Sequence, residues 1–128
     1  MSEISENVNW LAVLVSFVLA FILGWLWYSP KLFGHKWAEG VGLDPKGPEK
    51  MPVAAMAFQA AGTFLLAWLV GVTAAHESLF TIILIALTIM ALMAAGGFFT
   101  RKTGYAIATE VGFIVAMVVV MIVVQAIL

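Results

Sequence analysis

YAIATEVGFIVAMVVVMIVVQAIL, residues 105–128, is a run of 24 residues with a single charged side chain, Glu110. An α-helix needs about 20 residues to cross about 30 Å of hydrocarbon, so the run is long enough to span a bilayer. It is apolar in every register. That separates it from the alternating segments of roughly 10 residues that build a transmembrane barrel. Three runs of the same kind precede it, at residues 8–28, 53–75 and 79–99, and none of these contains Lys, Arg, Asp or Glu. The whole chain of 128 residues is 64% hydrophobic and 10% charged, more apolar surface than a water-soluble domain of this size can bury. The expected fold is therefore all-α: a polytopic membrane protein with four transmembrane helices in a single transmembrane domain over residues 1–128. The first run is a retained span rather than a cleaved signal peptide, because Glu3 and Glu6 stand before it and no Lys or Arg does.

The connections are short except for residues 29–52, which hold all four prolines, Pro30, Pro45, Pro48 and Pro52. Ser29 can cap a helix and Pro30 suits its first position, while Phe33, Trp37 and Val41 repeat at four-residue spacing. This predicts a short interfacial helix after the first span, with an irregular loop tucked against the bundle as the alternative. His76, Glu77 and Ser78 join the second and third spans so tightly that these should be antiparallel neighbours. All six basic residues fall in two connections on one face: Lys31, Lys36, Lys46 and Lys50 after the first span, Arg101 and Lys102 after the third. By the positive-inside rule that face is cytoplasmic, which makes residues 29–52 a cytoplasmic loop and leaves both termini outside.

Asn9 is placed to cap the first helix. Trp10 and Trp27 stand 17 residues apart, about 26 Å at helical rise, so with Tyr28 they either anchor the span at both interfaces or pack on other helices. Ala57 and Ala61, Ala67 and Gly71, Ala91 and Ala95, and Ala108 and Gly112 offer small residues at the four-residue spacing that lets membrane helices approach.

Chemistry is sparse. The formal net charge is -1 and the basic residues are scattered, which leaves no patch for nucleic acid. No phosphate-binding glycine loop, nucleotide fingerprint or metalloprotease motif is present, and the absence of cysteine removes thiolate chemistry. His35 and His76 fall on opposite faces, so they cannot share a metal within one subunit; His76 beside Glu77 suits an ordinary polar turn better than a metal or proton-sensing site. No metal or other cofactor is expected.

Glu110 stands about five residues, roughly 8 Å, inside the fourth span. An ionisable group at that depth faces a bundle interior or a watered cavity. Gln59 lies at similar depth in the second span with Thr63 one turn further in, so Glu110, Gln59 and Thr63 form the expected intramembrane polar site. Gln59 could simply glue two helices, or Glu110 could bend back toward Arg101. No nucleophile, metal set or oxyanion donor accompanies the carboxyl group, and no catalytic residue is assigned. The leading expectation is a homo-oligomeric unit for permeation of a small solute, ion or proton. The alternative is a noncatalytic structural or lipid- or amphiphile-binding membrane protein, with membrane lipids as partners in either case.

VNW at residues 8–10 and GWLWYSPKLFGHKW at residues 24–37 resemble the bacterial membrane-protein family catalogued as domain of unknown function 1761. The matching positions are Val8, Asn9 and Trp10, then Gly24, Trp27, Tyr28, Ser29, Pro30, Phe33, Gly34 and Trp37. The resemblance implies a small four-span protein of the bacterial cytoplasmic membrane and implies no reaction. Read physically, the motif is mostly punctuation at the end of a span. Its sharper reading is a groove in which Tyr28, His35 and Trp37 contact a lipid headgroup or an amphipathic ligand.

Overall fold

A computed structural model describes residues 2–29, 31–42 and 53–128. It is all-α: α1 (Ser2–Ser5), α2 (Trp10–Trp27), α3 (Gly34–Gly40), α4 (Val53–Ala75), α5 (Leu79–Phe99) and α6 (Gly104–Ile127). Four of these, α2, α4, α5 and α6, are long and apolar enough to cross a membrane, and the chain is a multi-pass membrane protein. The expectation that Pro30 opens the short helix lies outside the described residues, as do Pro45, Pro48 and Pro52.

Helix ends are set by local chemistry. Asn9 Oδ1 accepts from the Ala12 amide at 3.1 Å and starts α2, as its position suggests; Thr103 Oγ1 accepts from the Ala106 amide at 3.2 Å and starts α6. At the C-termini of α4 and α5, the Ser78 amide reaches back to the Thr73 carbonyl (2.8 Å) and the Lys102 amide to the Gly97 carbonyl (2.9 Å). These are Schellman turns, and their left-handed positions are held by Glu77 (φ 53°) and Arg101 (φ 61°) rather than glycine. Arg101 is thereby exposed, while Lys102 turns back onto the start of α6.

The bundle is organised around α6, which packs on α2, α3, α4 and α5. Ile107, Phe113, Met117, Val118 and Met121 are buried along it. α5 is the opposite case, burying only Ile82, Ala86 and Gly97. Although α4 and α5 are joined by a tight turn and touch, α5 rests chiefly on α6. Of the four small-residue pairs, only Ala67 and Gly71 are both buried, and Gly71 receives Val8 and Val13 of the first span. Ala57, Ala61, Ala91 and Ala95 are exposed, so the spacing alone does not identify a contact.

Trp10 and Trp27 of the first span pack on other helices. Trp27 Nε1 donates to the Thr109 carbonyl of α6 at 3.0 Å, and Trp10 stacks on Trp68 at 5.3 Å between centroids. Trp68 in turn donates to the Ile4 carbonyl at 2.6 Å, tying α1 to α4. Trp25, 85% exposed, is the tryptophan turned fully outward.

The short helix after the first span is present, with two corrections. It begins at Gly34, not at Ser29: the Ser29 hydroxyl donates to the Leu26 carbonyl at 2.7 Å and finishes α2 instead of capping α3. Its aromatic side also faces protein, as Phe33 meets Trp27 at 4.8 Å and Trp37 meets Tyr28 at 4.9 Å, while Lys31, His35, Lys36 and Glu39 are exposed. Two close approaches hold α3 in this place. A Cβ on Gly34 would collide with the Tyr28 carbonyl, and one on Gly40 with Thr103 Oγ1. The Gly40 carbonyl also accepts from the Thr103 amide at 3.1 Å, joining the end of α3 to the start of α6.

Candidate functional site

The end of the bundle that carries Lys31, Lys36, Arg101 and Lys102 is its basic end; Glu3, Glu6 and Glu77 mark the opposite, acidic end. Glu110 faces inward near the basic end, its side chain only 13% exposed. Lys102 Nζ lies 3.0 Å from each carboxylate oxygen, and Trp37 Nε1 donates to Oε2 at 3.0 Å. A carboxylate offers about four lone-pair directions, so three charge-assisted bonds satisfy most of it. Partners come from α3 and from the turn before α6. That turn is where the α5 Schellman motif places Lys102.

An aromatic floor lies under this pair. Tyr28 stands edge-on to both Trp37 (4.9 Å) and Phe113 (5.4 Å), and Trp27 bridges Phe33 (4.8 Å) and Phe113 (6.1 Å). These rings exclude water from one side of the ion pair, which strengthens it relative to an exposed one. At the rim, Lys36 Nζ sits 5.3 Å from the centroid of the Tyr105 ring, a cation–π contact between α3 and α6.

The residues singled out from the sequence are only partly brought together. Tyr28 and Trp37 touch, but His35 is on the outer side of α3, 3.6 Å from Glu39, with both side chains largely exposed. Gln59 is exposed on α4 and bonds along its own helix: its Nε2 is 3.4 Å from Thr63 Oγ1, whose hydroxyl donates to the Gln59 carbonyl at 2.6 Å. Thr63 is buried. The hydrogen bonds of Glu110 therefore run to Lys102 and Trp37, and those of Gln59 to Thr63. Among the basic neighbours, Lys102 takes the place expected for Arg101.

Lys102 was legible in one respect: it stands eight residues before Glu110, about 12 Å at helical rise, which the lysine and glutamate side chains can bridge together. Trp37 carried no such signal, being 73 residues away. Chemically the arrangement is a closed ion pair with an indole donor. It can pin α3 to α6. Among the described residues no three His, Cys, Asp or Glu side chains group as metal ligands.

A family model described as "Protein of unknown function (DUF1761)" matches residues 11–126, which includes the aromatic floor, Trp37, Lys102 and Glu110. No curated protein and no solved structure matches the chain.

Proposed function

The chain belongs to the DUF1761 family, and from that premise we propose that it is a noncatalytic structural or amphiphile-binding protein of the bacterial cytoplasmic membrane. One observation carries this reading: Glu110, the carboxyl group within a span, is paired inside its own chain with Lys102 and accepts a further hydrogen bond from Trp37. A permeation site keeps such a group available to solute or solvent, whereas here its capacity is spent on fastening α3 under α6. In this reading residues 1–128 are one transmembrane domain, residues 29–52 lie in the cytoplasm with the basic end, and both termini are outside. Tyr28 and Trp37 then serve as the packed floor of the fastening, and His35 is a surface group.

The homo-oligomeric permeation unit is a second reading, favoured by the outward-facing Gln59. A carboxamide exposed on a membrane-spanning helix, beside Phe58 at 80% exposure, would gain partners from a second copy. Purified protein reconstituted in liposomes decides between the two. Under the structural reading, native protein and Glu110→Gln hold a proton or potassium gradient equally well, and the substitution lowers thermal stability. Dissipation of the gradient by native protein, abolished in Glu110→Gln with assembly intact, would overturn the structural reading and establish permeation.

A further inference from the structure

α4 packs into the bundle for only part of its length. It buries Thr63, Leu66, Ala67, Val70, Gly71 and Thr73, whereas between Val53 and Gly62 no residue is buried and only Ala60 is partly covered. These ten residues, about 15 Å of helix, lead away from the described bundle at its basic end. Their composition is unlike that of the other outward surface nearby. Every exposed residue of α2 is a large apolar one, among them Leu11, Leu14, Val18 and Ile22, as suits a face turned to acyl chains. In the free half of α4, Ala54, Ala55, Ala57, Ala60, Ala61 and Gly62 are small, and Gln59 is polar. Small side chains let a second helix approach closely.

Gln59 decides what covers this surface. It lies six residues, about 9 Å, into a membrane-spanning helix, and Ala55 and Gly62 flank it on one stripe at four- and three-residue spacing. All three are exposed, and a Cβ at Gly62 would meet nothing within 4 Å. A carboxamide has two N–H donors and an oxygen with two lone pairs. The one side-chain contact of this carboxamide among the described residues runs from Nε2 to Thr63 Oγ1 at 3.4 Å, and the acyl chains around a span supply no other. A second carboxamide supplies both a donor and an acceptor. Two copies inserted in the same orientation carry Gln59 at the same depth, so a two-fold axis along the membrane normal sets the residue against itself.

We propose that the chain forms a symmetric dimer through the first half of α4, with Ala55 and Gly62 admitting the partner helix and the two Gln59 carboxamides exchanging N–H···O=C hydrogen bonds. The dimer shares its second copy with the permeation reading but needs no permeation, and it leaves the role of Glu110 untouched.

The chain has no cysteine, so single substitutions report contacts directly. In liposomes of phosphatidylethanolamine and phosphatidylglycerol, Ala55→Cys should be captured as a dimer by a short bifunctional thiol reagent, and Val18→Cys on the outer face of α2 should not. Dilution with lipid should lower the captured fraction. Adding Gln59→Leu to Ala55→Cys should move the midpoint of that dilution to about tenfold higher protein density, the worth of the paired interhelical hydrogen bonds. Equal capture of Val18→Cys, a monomer at every density, or a midpoint unmoved by Gln59→Leu would each overturn the proposal. None of these outcomes bears on Glu110, so the structural reading stands or falls separately on the gradient assay.

Discussion

α6 carries one strongly polar side chain near each end, and the two are accommodated in opposite ways. Glu110 at the basic end receives three hydrogen bonds from Lys102 and Trp37 over a floor of packed rings. Gln125 at the acidic end leaves Nε2 buried over Gly71, with no partner among the described residues. The difference follows from charge. An ionised carboxylate taken out of water costs several kcal/mol unless it is paired, so the fold must build a counter-ion beside it. A neutral amide costs only about 1–3 kcal/mol when left short of a bond, a cost the bundle can carry. The basic end is thus a finished structural joint, and the acidic end keeps a buried amide nitrogen short of a bond among the described residues.

The comparison is broken most severely by removing the counter-ion. Lys102→Met should destabilise the protein by about 3 kcal/mol, because it strands the Glu110 carboxylate against the aromatic floor. Lys102→Met combined with Glu110→Met should recover most of that loss, since apolar residues of similar volume replace a buried pair at little net cost. Thermal unfolding in mild detergent reads both. A double variant no better than the single one would show that the pair does more than neutralise itself.

A smaller effect is expected at Trp37. Trp37→Phe keeps a ring against Tyr28 and removes the indole donor to Glu110, so unfolding should shift by about 1 kcal/mol, with the Lys102 contacts retained. Loss comparable to that of Lys102→Met would assign the fastening to the indole instead of the charge. The smallest effect belongs to the other end. Gln125→Leu removes a buried amide nitrogen that makes no hydrogen bond among the described residues, and the protein should gain stability rather than lose it, by less than about 1 kcal/mol. A loss above 2 kcal/mol would mean that the amide is bonded and that the contrast between the two ends is false.

The spans were legible because a bilayer imposes length and apolarity on every helix that crosses it, and Asn9 was legible because an N-cap acts within three residues of itself. The partners of Glu110 were legible only in kind. That it must be paired follows from its depth; that Lys102 pairs with it depends on a turn in which Arg101 takes the left-handed position and points away. Trp37 depends on α3 folding beneath α6, which is decided by the close contacts of Gly34 and Gly40 and by no periodicity in residues 33–41. Ser29 misleads for a related reason: a Ser-Pro pair between two helices can serve either, and here its hydroxyl closes the first one. Gln59 and Glu110 have comparable depth, but depth says nothing of which way around the helix a side chain points.

The central place of α6 has a consequence for biosynthesis. α6 follows the other three spans in the chain, so α2, α4 and α5 leave the ribosome before the helix against which they pack exists. Until then α5 has little to hold it, with three buried residues along its length. Trp27, Tyr28 and Trp37 are already synthesised when Glu110 arrives, and Lys102 precedes it by eight residues. The carboxylate therefore follows Lys102 and Trp37 off the ribosome, and the floor beneath it is completed only when Phe113 arrives three residues later.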